Sequence, residues 1–229
     1  GKEVTFPENG YHGEDIVATA KRILKKDGDK YLAMDEQERL DIFKDLAYQE
    51  KLAILKEDLA SFHVTFDNWF SERTLHPDAV KAAVKQLQDN GTIYEKDGAL
   101  WLKSTDYGDD KDRVVIRDNG VPTYLAADIA YHHNKYERGF TRLINIWGAD
   151  HHGYVARVKA AMKALGHDPE QLTVLLLQMV ALYRDGEVVK MSKRTGQSVT
   201  LNELMEEVGT DAARYFFLMR SLDSQLDFD

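Results

Sequence analysis

Arg142-Leu143-Ile144-Asn145-Ile146-Trp147-Gly148-Ala149-Asp150-His151-His152-Gly153-Tyr154 is the stretch from which the fold is read. Arg142 to Trp147 is an apolar run of strand length, and Gly148 to Gly153 is a tight turn bounded by glycines. Tyr154 to Leu165 has helical spacing and ends at Gly166; Leu172 to Leu182 is a second apolar strand, and Ala126 to Tyr136 is a helix upstream. Helix, strand, tight turn, helix, strand predicts βαβ units on a parallel sheet, an α/β fold. Such sheets bind ligands beyond the carboxyl ends of their strands, where Gly148 to Gly153 would lie. There the glycines permit close approach of a ligand, an aspartate can accept from sugar hydroxyls, and a histidine can donate to phosphate or carboxylate. His151 and His152 are adjacent rather than four apart on a helix, and no His-Glu-x-x-His occurs, so no protein-bound metal is expected.

Toward the C-terminus, Ala181 to Val189 reads as a hairpin turning at Asp185-Gly186. It leads into Val189-Lys190-Met191-Ser192-Lys193-Arg194, a basic loop in an otherwise acidic chain. Thr200 then caps a helix, with Glu203 three residues on completing a capping box. Clustered cations between a strand and a helix suit phosphate chemistry; a solvated basic turn is the plain alternative. Asp211 to Arg220 is a closing helix.

Toward the N-terminus, Asn119-Gly120 and Asp97-Gly98 mark two hairpins, over 113–125 and 93–102. Tyr124 and Asp128 stand four apart where the first of these passes into a helix. If that helix begins by Tyr124 they share a face, an arrangement suited to a cationic ligand because a carboxylate takes two parallel hydrogen bonds from a guanidinium. A helix-dipole carboxylate beside a core tyrosine is the structural alternative, and His132 and His133 read as helix-face residues. The acidic loop Tyr107 to Asp112 lacks the oxygen spacing of an EF-hand. Pro77 to Asn90 predicts a helix and Phe62 to Phe70 alternates as a strand would. Glu14 to Lys26 and Glu36 to Leu59 are amphipathic helices, the longer with Leu40, Phe43, Leu52, Leu55 and Leu59 on its apolar stripe. A boundary is expected near Leu59 to Ser61, dividing a helical scaffold over 1–60 from an α/β body over 61–229.

The 229 residues carry 43% hydrophobic and 30% charged residues, enough for a sizeable core and too apolar for a disordered chain. A net charge of -9 excludes a general nucleic-acid-coating surface, so any such contact is local. There is no cysteine, hence neither disulfide nor thiolate metal site, and no apolar run of membrane-spanning length. A cytoplasmic setting fits this composition.

Taken together, Val189 to Arg194, Asn145 to Tyr154 and Pro122 to Tyr131 resemble the arginyl-tRNA synthetases, a family of class I aminoacyl-tRNA synthetases. Asp211-Ala212-Ala213-Arg214-Tyr215-Phe216-Phe217, Leu226 to Asp229 and Tyr11-His12-Gly13-Glu14 extend the resemblance over nearly the whole chain. It implies the second half of a Rossmann-type catalytic domain with a helical and α+β insertion. It also implies a ligase that activates arginine with ATP and magnesium and transfers it to tRNA. Lys190, Ser192 and Lys193 would match the catalytic signature loop, with Met191 beside them, the lysines offsetting charge on the phosphates. Gly148, Asp150 and His151 would match the motif around the adenosine and the bound amino acid, and Tyr124 and Asp128, with His151, the arginine pocket. The His-x-Gly-His motif of the class is absent, and His12-Gly13 does not supply it. The expectation is therefore an internal piece of the enzyme that cannot activate arginine unaided. A synthetase-like fragment that binds nucleotide, arginine or a partner without catalysis, and another class I synthetase, are the alternatives.

Overall fold

The computed structural model describes residues 13–189 and 199–229. In chain order the elements are α1 (Glu14–Asp27), α2 (Glu36–Ser61), α3 (Asp78–Asp89), β1 (Ile93–Lys96), β2 (Ala99–Leu102), β3 (Arg113–Ile116), α4 (Tyr124–Glu137), β4 (Leu143–Gly148), α5 (Val155–Ala164), β5 (Leu172–Leu177), β6 (Val180–Arg184), β7 (Glu187–Val188), α6 (Leu201–Val208), α7 (Thr210–Leu218) and β8 (Leu226–Phe228). Asn68–Val180 with Ser221–Leu226 forms one compact unit, and the other described residues form a second.

The first unit holds the α/β core. β4 and β5 pair in parallel in unbroken register, Leu143 opposite Leu172 and Gly148 opposite Leu177, with α5 as the crossover. β1, β2 and β3 make an antiparallel sheet. Its first hairpin turns at Asp97 and Gly98, both at positive φ, the conformation that a two-residue turn of the primed type demands. Leu75, Leu87, Leu102, Val115, Ile129, Val158, Met162 and Leu172 form one buried cluster beneath these elements. Helix α3 starts after Pro77 and stops at Asn90, its buried face being Val80, Ala83, Val84 and Leu87 at helical spacing. The acidic loop is structural. Arg113 on β3 makes a two-pronged ion pair with Asp109, Nε to Oδ2 at 2.7 Å and Nη2 to Oδ1 at 2.8 Å, and the Ser104 hydroxyl donates to the Lys111 carbonyl at 2.7 Å.

In the second unit, α1 and α2 are tied by Thr19, whose hydroxyl donates to Glu50 Oε1 at 2.7 Å, and by the Arg22–Glu50 and Lys51–Asp15 ion pairs. Arg22 and Thr19 hold the Glu50 carboxyl down to about 2. Tyr183 pairs with Val188 across the Asp185-Gly186 turn, and Thr200 and Glu203 form the expected reciprocal capping box.

Four expectations need correction. Residues 62–70 form no strand: among the described residues none pairs with them in a ladder, and Phe62 packs edge-on against Phe217 while Phe70 stacks on Tyr131 at 4.7 Å. The apolar run 172–182 is two strands, broken at Gln178, whose N–H donates to the Leu222 carbonyl. The return arm of the second hairpin is a single bridge, Ile116 to Pro122, because α4 begins at Tyr124. The stripe on α2 is only partly covered: Phe43, Leu52 and Leu59 are half-buried, Phe43 against Tyr31, whereas Leu40 and Leu55 are 54% and 49% exposed.

Leu102→Ala is expected to cost about 2–5 kcal/mol in urea unfolding, since it empties a fully buried site in the core cluster. Leu40→Ala, at an exposed position of the α2 stripe, is expected to cost less than about 1 kcal/mol. Equal losses would show that the core is misplaced.

Candidate functional site

The start of α4 sets the site. Thr123 is its N-cap: the Thr123 side-chain oxygen accepts from the Ala126 N–H at 3.4 Å and donates to the Val114 carbonyl at 3.0 Å, while the Thr123 N–H donates to Val115 O at 2.9 Å. The first turn of the helix is thereby fixed to β3. Since the helix begins at Tyr124, Tyr124 and Asp128 do share a face. Beside them β4 ends at Gly148 and the chain turns through a 3₁₀ segment, Ala149–Tyr154, into α5.

A cleft of about 610 Å³ opens between these elements. Tyr124 and Asp128 line it from α4, Ile146, Trp147 and Gly148 from the carboxyl end of β4, and His151 and Tyr154 from the 3₁₀ turn. Tyr124 stands 82% exposed at its mouth. Asp150 lies beside it, its carboxylate folded back so that Oδ1 is 2.5 Å from where a Cβ on Gly148 would be. Glycine at 148 thus leaves Asp150 its place. His151 Nε2 is 3.6 Å from Asp150 Oδ2, and both side chains are open to solvent. His152 donates from Nδ1 to the Ala149 carbonyl at 3.2 Å and turns away from the lining.

Asp128 is more than half buried, and burial pushes its carboxyl above the ordinary range. Tyr154, Lys135 and His151 pull it back, and Glu72 adds to the rise. Tyr154 is itself pushed up, by burial first and then by the Asp128 carboxylate. The two groups influence each other, yet among the described residues the buried Tyr154 hydroxyl has no hydrogen bond of ordinary geometry. Behind the cleft, His132 is buried rather than displayed on a helix face. Its Nδ1 donates to the Asp128 carbonyl at 2.7 Å, its Nε2 accepts from Asn145 Nδ2 at 2.7 Å, and Lys135 Nζ donates to Asn145 Oδ1 at 3.3 Å. Burial pushes His132 down to about 4. His133 meets His167 instead, Nδ1 to Nε2 at 2.9 Å.

Five of the residues singled out from sequence therefore meet here: Tyr124, Asp128, Gly148 and His151 in the lining, and Asp150 at its edge. Lys190, Met191, Ser192 and Lys193 lie outside the described residues. The sequence reading missed Ile146, Trp147 and Tyr154 as walls; an aromatic on each side of a glycine-bounded turn is the signal that marks the latter two. Among the described residues no group of three or more histidines and carboxylates is placed to hold a metal ion, and no helix is long and apolar enough to cross a membrane.

The model of the catalytic domain of class I tRNA synthetases of the arginine type matches residues 14–217. The chain belongs to this family. Among curated relatives, the arginine–tRNA ligase of Moorella thermoacetica is 60% identical over 230 residues, covering 100% of this chain and 41% of the relative. That of Carboxydothermus hydrogenoformans is 57% identical with the same coverage. A crystal structure described as an arginyl-tRNA synthetase from Campylobacter jejuni superposes with a TM-score of 0.90 at 42% identity, over 100% of this chain and 49% of that one. The Thermus thermophilus arginyl-tRNA synthetase, at 19% identity and a TM-score of 0.66 over 92% of this chain and 46% of its own, shares the fold. The chain thus spans less than half the length of these relatives.

Stability is expected to depend on His132 between pH 4 and 6.5. The imidazole is neutral when buried and takes up a proton on unfolding, so stability is full above pH 6.5 and falls as the pH drops toward 4. From pH 7 to pH 5 the loss from this group is about 2 kcal/mol. His132→Gln is expected to flatten that slope in urea titrations at the two pH values; an unchanged slope would show that His132 is not held neutral.

Proposed function

We propose that this chain is part of the catalytic core of an arginyl-tRNA synthetase, a ligase that activates arginine with ATP and transfers it to tRNA. The observation that carries this reading is the pairing of Tyr124 and Asp128 on one face of α4, in a cleft at the carboxyl end of a parallel strand. A half-buried carboxylate can take two parallel hydrogen bonds from a guanidinium, a geometry that a lysine ammonium cannot reproduce. Discrimination then rests on hydrogen bonding, which rejects poorly matched ligands more strongly than size does. Gly148, Asp150 and His151 would face the adenosine and the amino-acid group. In this reading Lys190 and Lys193, with Met191 and Ser192 beside them, offset the charge that grows on ATP's β- and γ-phosphates as the arginine carboxylate attacks the α-phosphate. Pyrophosphate leaves, arginyl-adenylate forms, and the tRNA hydroxyl then displaces AMP; no protein nucleophile takes part. Magnesium arrives with ATP. The helical segment 1–60 acts as scaffold or insertion. Ile144 and Ile146, 53% and 67% exposed on one face of the parallel pair, also support a part rather than a whole, since parallel sheets are covered on both faces.

The test is a graft. The Moorella thermoacetica ligase is rebuilt with this chain in place of its matching segment, and arginine-dependent ATP–pyrophosphate exchange is measured with tRNA present. Exchange is expected from the graft and not from the 229 residues alone. Asp128→Asn is expected to lower kcat/KM for arginine by on the order of 10²–10³-fold with the KM for ATP unchanged. A graft that exchanges equally well with Asn at 128 would remove arginine from this cleft.

A further inference from the structure

The hydroxyl of Tyr154 is a polar atom that the activity proposed above leaves without a task. It is buried, it has no hydrogen-bond partner of ordinary geometry among the described residues, and it belongs to a residue lining the cleft. The ring is held from two sides: Trp147 meets it edge-on at 6.0 Å, and the Arg157 guanidinium lies 4.7 Å over it. A buried donor without an acceptor is uncommon in folded proteins and asks for an explanation. Here the acceptor is at hand, because Asp128 is close enough for each group to shift the other.

We propose that Tyr154 is a positioning residue for specificity: its hydroxyl donates to one oxygen of the Asp128 carboxylate and sets the plane in which that carboxylate meets a guanidinium. This rests on Asp128 reading the arginine side chain. A carboxylate can accept about four hydrogen bonds, so one from Tyr154 leaves room for two from a planar ligand fork. Without the phenol the carboxylate turns freely about its terminal torsion, which has a broad minimum. A planar two-pronged ligand then loses its fixed partner, whereas a compact ammonium ion loses little, since it needs no particular plane. The hydroxyl already favours the charged Asp128 carboxyl in the free cleft, and its bond takes on ordinary geometry when a cation draws Asp128 fully into that form, as catalytic hydrogen bonds commonly do on ligand binding. The other charged groups facing Asp128 are His151 from the same turn, Lys135 from α4 and Glu72 from the turn before α3. Arg157 and Arg113 face Tyr154. None of these supplies a second fixed donor to the Asp128 carboxylate among the described residues.

The experiment uses Tyr154→Phe in the full-length graft, which keeps the ring and its contacts with Trp147 and Arg157. The KM for arginine is expected to rise about tenfold, with kcat and the KM for ATP within a factor of two and the thermal midpoint preserved. Inhibition by lysine is expected to be unchanged. The acid limb of kcat/KM for arginine is expected to move to higher pH, because a carboxylate deprived of a donor takes up its proton more readily. In an Asp128→Asn background the Phe substitution is expected to add less than twofold. A tenfold loss that persists in that background, a loss in kcat alone, a parallel loss of lysine inhibition, or an unmoved acid limb would each overturn the assignment. If Asp128→Asn itself leaves arginine kinetics untouched, the arginine pocket fails. If Asp128→Asn cripples the enzyme and Tyr154→Phe does not, only the role of Tyr154 fails.

Discussion

The cleft depends on the contact between His132 and Asn145, the polar residues that α4 and β4 bury against each other. Neither residue has a choice of orientation. His132 Nδ1 faces the carbonyl of Asp128 in its own helix, so that nitrogen carries the proton and Nε2 must accept. Asn145 therefore presents its NH₂ to His132, and its carbonyl oxygen faces the Lys135 ammonium. Turning the amide over would set its NH₂ against the ammonium and two acceptors against each other. The chain Lys135, Asn145, His132, Asp128 carbonyl uses each group once, and fully satisfied buried networks of this kind hold one geometry rather than several. What it holds is the register of Asp128 against Trp147 and Gly148, the two walls of the cleft.

A second constraint is electrostatic. Asp128 is the half-buried acid of the cleft, and burial acts on it more strongly than any neighbour does. Lys135 does not serve as its ion-pair partner: its ammonium is engaged with Asn145 and sits 4.3 Å over the Tyr131 ring. The free cleft therefore keeps a carboxylate in a place where the charged form is disfavoured. In the arginine reading proposed above, a bound cation would reverse that balance, because the same burial that penalises a lone charge strengthens its attraction to an opposite one. On that reading, removing the acid would relieve a cost in the free protein and forfeit the attraction in the complex, the usual opposition between stability and function at a site.

How far the sequence leads is seen by comparing particular segments. Local signals survive folding: the Asp-Gly turns at 97–98 and 185–186, the Thr200–Glu203 capping box and the apolar strand before Gly148 are each decided within a few residues. Segments 62–70 and 172–182 go wrong because a strand needs a neighbour, and the neighbour is set by distant chain. Phe62 and Phe70, at the two ends of the alternating segment, dock their rings on Phe217 and Tyr131 instead, and the apolar run breaks where Gln178 meets Leu222. The exposure of Leu40 and Leu55 on the α2 stripe has the same cause, since periodicity marks a face without saying what covers it. At the candidate site, that Tyr124 and Asp128 share one face was legible through their spacing, provided Thr123 started the helix. His132 and Tyr154 were not, because a buried imidazole and a wall tyrosine look in sequence like any helix face and any core aromatic.

The two faces of β4 explain why the cleft is apolar on one side and polar on the other. Leu143 and Asn145 point inward, where the asparagine grips α4; Ile144 and Ile146 point outward, and Ile146 enters the lining. Strand alternation thus puts the polar anchor and the apolar wall on adjacent residues, 145 and 146, with no turn between them. A ligand with an alkyl stem and a planar cationic end, as proposed here for arginine, needs that division: methylenes against Ile146 and Trp147, and the charged end toward Asp128. Shifting β4 by one residue against α4 would exchange the two faces, burying Ile146 and turning Asn145 outward. The hydrogen bond from Asn145 to His132 opposes that shift, so the same bond that fixes Asp128 also fixes the wall along which a stem would lie.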